Sequence, residues 1–159
     1  MGTQCTIAIQ KNTKSAVNFK TVCVHWDGYL SWVGQVLLDA YNTAEKVEEL
    51  ISLGCLSSLG RNIKPNPDKP HSFMNPQKDV CVFYHRDRGE LWQDVNPAQL
   101  TLTSSLELAE EKYIGYISRT PFTRYNYLFK DGQWYWKKKA DKEWKLLTQA
   151  DIDAEKEKR

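Results

Sequence analysis

The stretch NFKTVCVHWDGYLSWVGQVLLDAY, residues 18–41, changes its period in the middle, and that change decides the fold. Up to Trp26 it is rich in apolar and β-branched residues and reads as a strand. From Leu30 onward, Leu30, Val33, Leu37 and Tyr41 fall on one helical stripe, flanked by Val36 and Ala40. The helix is expected to begin at Asp27 or Gly28, with Asp27 as a favourable N-cap.

On the N-terminal side, CTIAIQ (5–10) alternates, with Cys5, Ile7 and Ile9 on one side. The polar run KNTKSAVN can turn, so 5–10 and 18–26 are expected to pair antiparallel. On the C-terminal side, NTAEKVEELISLG (42–54) reads as a second helix. Asn42 and Glu45 make a capping box, Val47, Leu50 and Ile51 form its buried stripe, and Gly54 ends it. KPNPDKPHSFMNPQK (64–78) holds four of the six prolines and is expected to be a long loop.

DVCVFYHRDRGE (79–90) reads as a third strand, and LTSSLELAEEKYIGYI (102–117) as a helix capped by Ser104 or Ser105. RYNYLFKDGQWYWKKK (124–139) is a hairpin around the type I′ turn Asp131-Gly132. The order β-β-α-α-loop-β-α-β-β predicts an α+β fold. A mostly antiparallel sheet of about five strands would carry the helical pair on one face. Residues 1–140 are expected as one domain, and 141–159 as a charged C-terminal tail or helix.

A net charge of +2 is too mild to imply nucleic acid by itself. Trp134 and Trp136 interleave with Lys137, Lys138 and Lys139, and Tyr125, Tyr127 and Phe129 alternate on the facing strand, a pattern that single-strand binders use. Asp141 and Glu143 offset the lysines, and a core of rings explains the pattern equally, so nucleic acid is compatible but not favoured. No apolar run is long enough to span a bilayer, and MGTQCTIAIQ lacks the features of a signal peptide and fits the myristoylation pattern only loosely. Cys5, Cys23, Cys55 and Cys81 are scattered, as small buried hydrophobes in a reducing cytosol would be.

Two polar segments carry the candidate chemistry: His25, Trp26, Asp27 and Tyr29 in the first, Tyr84, His85, Arg86, Asp87 and Arg88 in the second. Both run apolar strand, cysteine, histidine, aspartate, glycine. Cys23 with His25, and Cys81 with His85, would share strand faces, but no C-x-x-C knuckle is present, so neither a metal nor a cofactor is expected. If both segments gathered at one sheet edge, His25, His85, Asp27 and Asp87 could act as acid and base on a phosphodiester or nucleotide. The non-catalytic alternative gives Arg86 and Arg88 an anion and stacks Trp26 and Tyr29 on a ring. HRDRGE lacks every other part of a kinase and is a coincidence.

The HWDGY turn, the LGxxSSLG run at 53–60 and the YHRDRGE segment together resemble a family of small proteins encoded by bacteriophages and prophages, over roughly residues 3–136. The family has no settled activity. The resemblance implies an accessory protein of the infected host's cytoplasm, and it singles out His25–Tyr29, Gly28 included, and His85–Arg88. The expected role is to counter host defence by binding a host protein or a small nucleotide-like anion, as a monomer or a homo-oligomer.

Overall fold

A computed structural model describes residues 3–103, 105–119 and 123–158. The chain is α+β, built on one mixed sheet of eight strands. The strands are β1 (Gln4–Asn12), β2 (Val17–Val24), β3 (Leu56–Ser58), β4 (Val82–Phe83), β5 (Ala98–Leu102), β6 (Thr123–Lys130), β7 (Gln133–Lys138) and β8 (Lys145–Leu146). Their order is β4-β3-β2-β1-β6-β7-β8, with β5 also on β2. Thus β2 lends its far end to β3, at Val24–Leu56, and its first half to β5, from Val17–Leu102 to Thr21–Ala98.

Local pairings match the sequence. β1 and β2 are antiparallel over their whole length, and β6 and β7 form the hairpin. Asp131 and Gly132 both take positive φ, as a type I′ turn requires. The sheet is nevertheless mixed: β1 runs parallel to β6, and β2 to β3. Three strands beyond the expected five are the short β3 and β8, and β5, whose register on β2 comes from a distant segment.

Helices cover both faces rather than one. The helices are α1 (Gln35–Ala40), α2 (Ala44–Ser52), α3 (Tyr84–Arg88), α4 (Trp92–Val95), α5 (Leu106–Ser118) and α6 (Gln149–Lys158); a π-helical turn at Leu30–Gly34 leads into α1. The larger core joins Cys5, Ile7 and Ile9 of β1 to Val36 and Leu37, to Leu50 and Ile51, and to Ile152 of α6. On the opposite face, Ala8, Phe19 and Leu128 pack against Ala109, Tyr113 and Ile117 of α5. Strand alternation sends neighbouring residues to opposite faces, so each face of β1 needed its own cover.

Two cap expectations change, and a third resolves to one of its two candidates. Thr43, not Asn42, caps α2, accepting from Lys46 N–H at 3.3 Å. Of Ser104 and Ser105, Ser105 caps α5 through Leu108 N–H, and Ser104 lies outside the described residues. Asp27 is not an N-cap: its φ is +59°, and its carboxylate accepts from Tyr29 Oη–H at 3.0 Å. The backbone N–H groups of Leu30 and Ser31 donate instead to Glu155 on α6, at 3.1 and 2.9 Å. That carboxylate also accepts from Tyr125 Oη–H. The charged C-terminal run is therefore a docked helix that supplies a cap from more than 120 residues away.

Candidate functional site

The first polar segment is shaped by contact with β1. Gly28 N–H donates to Thr3 O at 2.8 Å, and a Cβ on Gly28 would stand 2.7 Å from Cys5 Cβ and 2.9 Å from Thr3 O. No side chain fits there. Gly28 O in turn accepts from the buried Tyr127 Oη–H at 2.8 Å. Asp27 adopts the left-handed conformation that aspartate tolerates better than most residues, which turns β2 sharply into the π-helical turn. His25 and Trp26 continue the ladder onto β3, donating to Leu56 O and Ser57 O. Their rings meet edge to face at 4.7 Å, and Trp26 is 45% exposed.

The second segment is not a strand. Only Val82–Phe83 pair with β3, and Tyr84–Arg88 coil into the single turn of α3. Asp87 explains the change. Its side chain is only 6% exposed, and it accepts from Phe83 N–H at 2.8 Å, which closes the turn back on the strand end. Arg86 grips the same carboxylate with two hydrogen bonds, at 2.9 and 3.0 Å. Burial pushes the Asp87 pKa up, but the Arg86 hydrogen bond and the Phe83 N–H outweigh it, and the net shift is downward.

Arg86 does more than neutralise Asp87. Its remaining donors reach Ile63 O and Cys81 O, the carbonyls that bracket the proline-rich loop, and its guanidinium lies 4.7 Å from the Phe83 ring centroid. The loop itself is seated on α3. His71 accepts from Gln77 N–H at Nδ1, which leaves the proton of the neutral ring on Nε2. That nitrogen faces Asp87 Oδ1 at 3.4 Å, an electrostatic contact rather than an aligned hydrogen bond. Phe73 sits between the Tyr84 ring, at 5.6 Å, and the Arg88 guanidinium, at 4.9 Å. His71 and Phe73 were not among the sequence candidates. Their only sequence signal is an imidazole and a ring inside a loop rich in proline, asparagine and lysine.

The two segments do not converge. Val24, Leu56 and Phe83 lie side by side across β2, β3 and β4. β2 runs parallel to β3, so His25 and Trp26 advance toward Ser57. β4 runs antiparallel, so Tyr84 turns back to Cys55, where its N–H donates to Cys55 O. His25 and His85 therefore leave this row in opposite directions, and the acid–base pair is not assembled. His85 instead takes Glu90 O on Nδ1 at 2.8 Å and meets the Trp92 ring edge to face at 5.2 Å. Tyr84 is half-buried, and burial raises its phenol pKa.

Other sequence candidates are used inside the fold. Cys81 lies against Tyr41 Oη and Gly60, while Cys23 lies against Cys55, so the imagined Cys₂His₂ set is dispersed. Among the described residues no group of three or more His, Cys, Asp or Glu could hold a metal ion. Trp134 and Trp136 are buried in the larger core, and Lys137 is covered, its ammonium donating to Lys138 O and Lys139 O. Tyr127 and Phe129 are buried with them, whereas Tyr125 and Tyr135 are half-buried. Among the described residues no helix is long and apolar enough to cross a membrane.

Beside the exposed polar side chains of His85, Arg88, Gln93 and Asp94, α3 and α4 also present apolar surface. Leu91 is 63% and Trp92 40% exposed, side by side at the start of α4. A cavity of about 660 Å³ lies elsewhere, between α5 and the β6–β7 hairpin, and carries Glu107, Glu110, Glu111 and Glu143 against Lys130 and Lys142.

No protein-family model matches the chain, and searches of curated proteins and of solved structures found no match either.

Proposed function

We propose that this chain is a non-catalytic binding protein whose partner is another protein, engaged through the α3–α4 turn. The observation that carries the reading is the exposed Leu91–Trp92 pair on a turn fixed from below by Asp87 and Arg86. Exposed aromatic anchors on rigid supports are what protein interfaces concentrate their energy in. Arg86, the residue expected to hold a small anion, already has Asp87 and two carbonyls as partners, which favours the protein reading over the anionic ligand. The resemblance to phage accessory proteins supplies the setting: a partner from the infected host, bound to blunt its defence.

Capture from infected cells with wild type, Trp92→Ala and Leu91→Asp tests this. A partner held by wild type and released by both variants supports the reading. A partner held equally by all three moves the surface elsewhere. Calorimetry with cyclic nucleotides and ADP-ribose tests the anionic alternative, and heat that disappears in Arg88→Ala would restore it.

A further inference from the structure

The four cysteines are of two kinds. Cys5 and Cys81 are fully buried, whereas Cys23 and Cys55 are half-buried, and all four are free thiols. Cys23 and Cys55 belong to neighbouring strands or their immediate approach. β2 and β3 are parallel with Val24 beside Leu56, which sets Cys23 beside Cys55 one residue earlier. Neighbouring strands lie about 4.8 Å apart, inside the roughly 4.4–6.8 Å Cα separation that disulfides span. The Cys23 N–H donates to Cys55 Sγ at 3.4 Å, which brings the two side chains together across the strand pair.

This contact makes the two sulfurs unequal. The Cys23 thiol and then its N–H favour the Cys55 thiolate, against burial, and lower the Cys55 pKa. The same thiol contact, followed by burial, raises that of Cys23.

We propose that Cys23 and Cys55 are a peroxide-reactive pair that closes into an intramolecular disulfide, Cys55 attacking and Cys23 resolving. In the first step the Cys55 thiolate attacks one oxygen of hydrogen peroxide. An S–O bond forms, the O–O bond breaks, and the expelled hydroxide leaves as water after taking a proton. Cys55 is then a sulfenic acid. In the second step the Cys23 sulfur attacks the Cys55 sulfur. The S–S bond forms, the S–O bond breaks, and the hydroxyl departs as a second water with the Cys23 proton. Two thiols are oxidised by two electrons and one peroxide is reduced to two waters. A small dithiol returns the pair to its reduced form.

The location gives the bridge a consequence. Cys55 N–H donates to Val95 O at the end of α4, and Cys55 O accepts from Tyr84 N–H at the start of α3. One residue thus ties β3 to both helices of the exposed turn, and covalent closure acts at their base. The chemistry itself stands whether or not that turn binds a partner.

The test begins with fully reduced wild type, exposed to a modest excess of hydrogen peroxide and mapped by peptide mass spectrometry after thiol blocking. The expected product has lost two hydrogens, joins the peptides carrying Cys23 and Cys55, and reverts with dithiothreitol. Cys23→Ser should stop at a dimedone-trappable sulfenic acid on Cys55, and Cys55→Ser should slow peroxide consumption at least about tenfold. Because the first experiment uses wild type, misfolding of either variant does not remove the test. A bridge to Cys5 or Cys81, all four thiols remaining free, or faster reaction at Cys23 than at Cys55 would overturn the assignment.

Discussion

Residues 22–30 and 80–90 spell nearly the same order of side chains and fold into opposite arrangements. In the first, the aspartate works through its backbone: Asp27 takes the left-handed conformation, and Gly28 lets the turn lie directly on β1. In the second, the aspartate works through its side chain: Asp87 is sunk under α3, where it gathers Phe83 N–H, Arg86 and His71. One segment joins β2 to the π-helical turn. The other holds down a proline-rich loop. A shared residue order therefore does not make a shared site; strand direction and burial decide what each histidine and aspartate can meet.

That contrast can be broken at either end. Asp87→Ala should have the largest effect, about 3 kcal/mol of lost stability, because it strips a buried carboxylate from Arg86 and from a backbone N–H. The shift in urea midpoint measures it. Gly28→Ala should cost about 2 kcal/mol in the same assay, since the added methyl meets Cys5 Cβ and Thr3 O with no room to move. Acid should reproduce part of the Asp87 effect. Its folded pKa lies below its unfolded one, so its stabilisation is complete above the unfolded value of about 3.9 and is lost as pH falls through the depressed folded value. A wild-type unfolding curve that loses stability in this window, while Asp87→Ala does not, would assign the loss to this group. Glu155→Gln should be smallest, about 1 kcal/mol, with faster hydrogen exchange at the Leu30 and Ser31 amides that it now caps.

Much of the local structure was legible in the sequence. The β1–β2 pair, the Val47–Leu50–Ile51 stripe, the positive φ of Gly54 and the Asp131-Gly132 turn all follow from short-range pattern. What was not legible depends on distant partners. Nothing near Asp27 announces that Glu155 will satisfy the Leu30 and Ser31 amides, so a residue type that favours N-caps makes none here. Nothing in the apolar run before Tyr84 says that pairing ends at Phe83; Asp87 ends it by folding back onto Phe83 N–H. The parallel β1–β6 contact and the packing of Phe19 on Tyr113 of α5 likewise join segments far apart in the chain.

For the candidate site, the sequence grouped two polar segments that the strand directions keep apart. Tyr84, Arg86, Asp87 and Arg88 do form a constellation, but they close it with His71 and Phe73 from the loop rather than with His25 and Asp27. Leu91 and Trp92 lie exposed beside it, and neither residue type signals exposure in a sequence.

The central claim is that the second segment clamps loop 64–78 and the first does not. Hydrogen exchange at the Asn66 and Gln77 amides reads it directly, because Asn66 N–H is held by Gln77 Oε1 and Gln77 N–H by His71 Nδ1. Asp87→Ala should strip protection from both amides under conditions where the sheet amides of β1 stay protected, and Asp27→Asn should leave both unchanged. Loss of protection in Asp27→Asn, or full protection in Asp87→Ala, would contradict it.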